Sequence, residues 1–186
     1  MPSVALITEG EFDIYAYSTL IRRENEHELG IHARLCRGSV SGRFVRILNE
    51  FRYANPSISK AIVVSDAHGK ARIAWRTELQ AQARNAAFPF PVEYVIVVEE
   101  LEAILLCDPT AVESVCAERG SAIALPNLVQ SPELIPEPKE ELVRQLVRGN
   151  LTYTRAIAEQ IAARADLARL AYWSQSYRDF QTAVRL

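Results

Sequence analysis

Three apolar runs, each handing over to carboxylates, constrain this chain more than any other feature. Val4-Ala5-Leu6-Ile7-Thr8 leads into Glu9-Gly10-Glu11-Phe12-Asp13, Ala61-Ile62-Val63-Val64-Ser65 into Asp66, and Tyr94-Val95-Ile96-Val97-Val98 into Glu99, Glu100 and Glu102. Short, continuously apolar, β-branched runs read as strands buried on both faces. In an open α/β sheet the carboxyl ends of parallel strands converge on one crevice, the usual ligand site. Acids gathered there repel one another unless a cation sits between them. A divalent metal is therefore the expected occupant.

The segments between these runs supply the rest of the plan. Residues 12–23 carry Ile14, Tyr17, Leu20 and Ile21 at helical spacing, and 31–36 alternates like a strand with one wetter face. Phe44, Ile47, Leu48 and Phe51 stripe a helix over 41–53, which Asn55-Pro56 breaks. A helix over 72–87 is ended by Phe88-Pro89-Phe90-Pro91. A fourth strand over 93–98 and a helix over about 100–107 follow, and Asp108-Pro109 restarts a helix, since proline suits a first turn. Strand–helix alternation implies a parallel sheet with right-handed crossovers. The stretch 124–138 holds four prolines and reads as a surface connection, with helices expected over 140–148, 154–170 and 177–184. The expected fold class is α/β: a core over 1–120, with about four strands flanked by helices, and a helical C-terminal extension over 121–186 packed on it.

Composition narrows the classes. A chain of 186 residues suits one domain, and a net charge of −2 excludes bulk electrostatics as the signal of a nucleic-acid or membrane partner. Cys36, Cys107 and Cys116 lie among apolar neighbours without metal-type spacing and read as small buried hydrophobes in a reducing compartment. No leader is visible, and no apolar segment approaches the roughly 20 residues that cross a bilayer. A cytoplasmic location without a membrane partner is expected. Oligomeric state is left open.

Glu9-Gly10-x-x-Asp13 directly after a strand resembles the first motif of Toprim domains, and Asp66-Ala67-His68-Gly69 occupies the place of their Asp-x-Asp motif. Later stretches are similar to a bacterial family of unknown function related to the Toprim domains of OLD-type nucleases. These are Val98–Pro109, with Glu102-Ala103-Ile104-Leu105-Leu106 at its centre, then Pro138-Lys139 before a helix, and Tyr153-x-Arg155 before Ile157-Ala158. The resemblance implies a Toprim-like, Rossmannoid fold and metal-assisted attack on a phosphodiester. Under it, Asp66 and one or both of Glu100 and Glu102 would hold Mg²⁺ or Mn²⁺, with Glu9 as a ligand or general base. Nucleic acid would be the substrate or partner, and a separate ATPase subunit a co-worker. The alternative is a catalytically impaired Toprim-like module that binds nucleic acid or a partner ATPase.

His68 departs from the family, which has a second aspartate there, and Ile104 stands for its tryptophan. Imidazole suits Mn²⁺ or Zn²⁺ better than Mg²⁺. His68 as a catalytic proton-transfer group, as a phosphate contact and as the mark of lost catalysis all stay open. Candidate nucleic-acid contacts are Arg37 and Arg43, in a small-residue basic loop, with Lys70, Lys139 and Arg155; Arg72, at the same strand-to-helix junction as Lys70, could also reach phosphate. The bland alternatives are helix capping for Glu9 and Asp66, salt bridging for the basic residues, and a core or interface place for Trp75, Trp173, Tyr172 and Tyr177. Gly10 is expected to permit a tight backbone turn under Glu9, and Asp13 to brace the first helix.

Overall fold

Both faces of the central strands are apolar because both are covered. In the computed structural model, which describes residues 2–25, 28–54, 57–67 and 69–186, four strands form one sheet: β1 (Ser3–Thr8), β2 (Gly30–Leu35), β3 (Ile58–Asp66) and β4 (Val92–Val97). All pairings are parallel and the strand order is β2-β1-β3-β4, with Leu6 opposite Ile62 and Asp66 opposite Val97. The chain steps outward from β1 to β2, then crosses back over β1 to β3. The crevice where the strand order reverses therefore opens between the carboxyl ends of β1 and β3. Glu9 and Asp66 stand at those two ends.

Side chains alternate between two cores, as a period of two requires. Val4, Leu6, Ile62, Val64, Val95 and Val97 point into one. Ala5, Ile7, Ala61, Val63 and Ile96 point into the other, covered by α2 (Phe44–Ala54) and α3 (Arg72–Ala83) through Phe44, Leu48, Trp75 and Leu79. The first core is thicker. Its inner layer is α1 (Glu11–Glu24), against which α7 (Arg155–Arg164) lies extensively, and α4 (Leu101–Leu105), α5 (Pro109–Glu118), α6 (Pro138–Arg148), α8 (Leu167–Trp173) and α9 (Gln175–Val184) complete it. Within it α9 packs Phe180 on Tyr17, ring centroids 5.1 Å apart, and Lys60 Nζ donates to the carbonyls of Ala183 (3.0 Å) and Arg185 (2.7 Å). The expected α/β sheet of four strands is borne out. All three cysteines are buried and free, and no helix among the described residues is long and apolar enough to cross a membrane.

Several expectations need correction. The helix expected over 72–87 ends at Ala83, because Phe90 must reach the second core and Phe88 stacks on it at 5.9 Å, which pulls the preceding residues out of helical geometry. The helix expected to start at 41 starts at Phe44, since Gly38 and Gly42 adopt left-handed φ (81° and 76°) and make 38–43 a loop. Its breaker, Asn55-Pro56, lies outside the described residues. The helix expected over 154–170 is two helices. Asp166 caps α8 by accepting the N–H groups of Ala168 and Arg169, and Arg23 holds the freed carbonyls of Ala162 and Ala165. The proline-rich stretch 124–138 is more than surface covering. Its one turn of 3₁₀ helix, Pro132–Leu134, sets the Glu133 carboxylate to accept from Ser174 Oγ and from the N–H groups of Gln175 and Ser176 at the start of α9.

Candidate functional site

β1 ends at Thr8, Glu9 and Gly10 make the turn, and α1 begins at Glu11. Gly10 has φ −96° and ψ 147°, ordinary extended backbone, so conformational freedom is not why glycine stands there. The reason is room: a Cβ would lie 2.8 Å from both Asp13 carboxylate oxygens. Asp13 folds back so that Oδ2 accepts the Gly10 N–H at 2.9 Å, which bears out its bracing role. It also enters the crevice. Burial, outweighing the Gly10 bond and the nearby Lys139, raises its carboxyl above the usual range.

Asp66 is the centre of the arrangement. It borders a cleft of about 270 Å³ shared with Asp13, Glu100, Glu102 and Lys139. It also borders a more open cleft of about 540 Å³ shared with Glu9, Gly10, Gly38 and Ser39. Burial first, then the charges of Asp13, Glu9, Glu100 and Glu102, push its carboxyl up to about 9. Without a compensating cation Asp66 keeps its proton at neutral pH.

On the far side, Glu99 takes a left-handed φ of 61°, uncommon for a residue with a Cβ. That kink ends β4 and turns the chain so that Glu100, the extended residue before α4, and Glu102, in its first turn, face the same cleft despite being two residues apart. Glu100 Oε2 is buried without a hydrogen-bond partner among the described residues. Glu102 is 4% exposed and burial raises its carboxyl. Beside it lies the Tyr153 hydroxyl, whose proton burial holds more tightly than usual, yet neither Tyr153 nor the buried Tyr17 closes a hydrogen bond of ordinary geometry.

Glu9 is oriented from below. Its Oε1 accepts from Ser65 Oγ at 2.6 Å, and Ser65 Oγ accepts from the buried Trp75 Nε1–H at 3.0 Å. Trp75 is thus a core residue that also ends a hydrogen-bond chain reaching the crevice. Lys70 Nζ sits 3.5 Å from the Trp75 ring centroid and 3.4 Å from Glu78. His68 lies outside the described residues.

The donors fit a hard divalent cation: all are oxygens, Asp66 is forced to hold a proton, and Glu100 Oε2 is buried without a partner among the described residues. As they stand, no three His, Cys, Asp or Glu side chains among the described residues are drawn tightly enough to hold a metal ion. The carboxylates share a rim but spread around it, as uncompensated like charges do.

The five basic candidates divide. Lys139, in the first turn of α6, faces Asp13 and Glu102 across the smaller cleft and lies 5.8 Å from the Phe12 ring centroid. Arg37 and Arg43 flank the Gly38–Ser39 wall of the open cleft, with Arg43 Nη1 donating to the Arg37 carbonyl. Arg155 pairs with Glu11 at 2.8 Å and lies 5.2 Å from the Tyr15 ring centroid. Lys70 is on the Trp75 side. Sequence reasoning missed Ser65, Trp75 and Tyr17 as neighbours of the site, and gave Asp13 only a bracing part. Ser65 carried a signal, being a polar residue in an apolar strand directly before Asp66.

No protein-family model and no curated protein matches the sequence. Among solved structures, the chain is similar to the C-terminal region of the Burkholderia pseudomallei OLD protein, with 15% identity, a TM-score of 0.49, and coverage of 97% of this chain and 98% of that one. It is also similar to the C-terminal region of the Xanthomonas campestris pv. campestris OLD protein, with 12% identity, a TM-score of 0.48, and coverage of 97% and 93%.

Proposed function

We propose that this chain is a Toprim-type domain that cleaves or rearranges phosphodiesters with a divalent cation, and that nuclease activity is its reaction. The observation that carries the reading is Asp66 at the reversal point of the strand order, with Asp13, Glu100 and Glu102 around one cleft and Glu9 held at its side by Ser65. Asp66, Glu100 and Glu102 would hold Mg²⁺ or Mn²⁺, which, when bound, neutralises phosphate charge and acidifies a water molecule. The residues of the chain do the rest. Ser65 occupies Glu9 Oε1 and aims the carboxylate, so Glu9 is placed to take a proton from an attacking water. Lys139 sets one positive charge among the acids, where a phosphate oxygen would otherwise meet only repulsion. Nucleic acid is the proposed substrate, and a separate ATPase the proposed co-worker.

A second reading, a module that binds nucleic acid or an ATPase without cutting, draws on one observation: the described acids form no ready-made three-ligand cluster. Incubation of plasmid and single-stranded DNA with Mg²⁺ or Mn²⁺ separates the two. Cutting that disappears in Glu9→Gln and Asp66→Asn supports the enzyme. DNA association without cutting, surviving both substitutions, replaces it with the binding module. His68→Asp gains Mg²⁺-dependent cutting if the histidine replaced a ligand.

A further inference from the structure

Beside the acids, α3 and α9 enclose a second cleft of about 410 Å³ whose walls carry Arg72, Arg76, Gln175 and Asp179. It opens on the same rim of the sheet. The chain from Asp66 to the start of α3 at Arg72 spans at most about 20 Å when extended, and Ser176 Oγ accepts the Val98 N–H at 3.0 Å where β4 ends. Both guanidinium groups converge on a single oxygen, Asp179 Oδ2, with Arg76 Nη2 at 2.8 Å, while Gln175 Nε2 takes Oδ1 at 2.8 Å.

The cluster therefore sets two positive charges against one negative. Each guanidinium has five N–H donors in a planar fork. Each spends Nη2 on Asp179, and the Nε of both is buried without a partner among the described residues. A tie between α3 and α9 is complete with one arginine. The second adds a half-buried charge without a counter-ion of its own, a costly choice unless something anionic arrives. Lys70, the nearest lysine in sequence, already meets Glu78, and the first turn of α3 contains no acid that could repel an anion.

We infer that this cleft is a phosphate-binding subsite that takes one phosphate of a nucleic-acid backbone, flanking the phosphodiester at Asp66. The inference rests on the proposed function for the identity of that backbone. Guanidinium forks match phosphate oxygens in pairs. Asp179 keeps both arginines in register and, by its charge, holds the affinity below what two free arginines would give.

The test is anisotropy of a fluorescein-labelled single-stranded DNA oligonucleotide in buffer with EDTA, titrated with KCl. Arg76→Gln is expected to weaken binding about tenfold and to reduce the magnitude of the salt slope by about 0.7. Asp179→Asn is expected to tighten binding, the opposite of what a purely structural tie predicts, with circular dichroism reporting that each variant is folded. Unchanged affinity and slope in folded Arg76→Gln, or weaker binding by folded Asp179→Asn, overturns the subsite. Inorganic phosphate distinguishes the source of the anion. Thermal stabilisation of wild type but not of Arg76→Gln by phosphate, with DNA binding equal in both, overturns the nucleic-acid assignment in favour of a free phosphate. Cleavage with Mg²⁺ or Mn²⁺ is read separately, so an inert wild type counts against the catalytic reading and an indifferent Arg76→Gln against this one.

Discussion

Asp66 couples the site to the stability of the fold through its proton. Its carboxyl titrates near 9 in the folded chain, against 3.8 as the ordinary value. A raised carboxyl stabilises the folded state fully below the ordinary value, and that contribution drains away as pH rises toward 9. Without divalent ions, the melting temperature of Asp66→Asn relative to wild type should climb between pH 5 and pH 9; a flat difference would refute the assignment. Ser65 and Trp75 act on Glu9 instead. Ser65→Ala removes the acceptor of the Trp75 indole and the donor to Glu9. The expected result is a shifted Trp75 emission spectrum and, for the active protein, about tenfold lower kcat at unchanged KM. Gly10→Ala makes a different point. The new Cβ would occupy the space of the Asp13 carboxylate, so the variant should lose the Asp13 bond and about 2 kcal/mol in urea unfolding. The spacing Glu9-Gly10-x-x-Asp13 drew attention to these residues, yet nothing in the string distinguishes a glycine needed for φ from one needed for room.

The helices of the C-terminal third depend on carboxylates that the apolar pattern does not display. Asp108 is almost wholly buried. It accepts from Thr110 N–H and Oγ1, from the Asp166 N–H at 2.8 Å and from Arg169 Nη1 at 3.1 Å, so it fastens the start of α5 to the start of α8. Burial works to raise its carboxyl, but these donors prevail and hold it below the usual range. Its contribution is therefore present above the ordinary carboxylate value and lost as pH falls below it and on through the lower value of the folded chain. Asp108→Ala should cost about 3 kcal/mol at neutral pH and much less near pH 3, as acid-titrated denaturant melts would report. The Asp108-Pro109 restart was legible because capping and proline act locally. The break at Ala165-Asp166 was not, because Ile157, Ile161 and Leu170 keep an apolar spacing across it, and the partners that reward the break, Arg23 and Asp108, are remote in sequence. Glu133 is a similar case: the groups that donate to its carboxylate, Ser174 Oγ and the Ser176 N–H, lie some forty residues away at the start of α9.

The sheet was the most legible part of the fold, because doubly covered parallel strands write themselves as unbroken apolar runs, and two of those runs end on the acids that face each other across the reversal of strand order. The flanking basic cleft was legible only in part: Arg72 stood out at the junction after the second acidic strand, but Arg76 carried no local sign and Asp179 comes from the opposite half of the chain. If the acids accept a cation, binding and folding are linked. Mn²⁺ at a fixed concentration, a hundred times its Kd at pH 7, should stabilise the protein by about 2.7 kcal/mol there, more at pH 8 and less at pH 6 because protons compete for Asp66, and this gain should vanish in Asp66→Asn. Calorimetry with and without EDTA measures it. The order of the elements has one more consequence, for biosynthesis. β1 is laid down before the other strands but sits inside the sheet, while α9, which seals Tyr17 beneath Phe180, leaves the ribosome after every other described helix. Until then the first core stays open on that side, so a nascent chain stalled before Gln175 would present the bare Tyr17 face to chaperones and proteases.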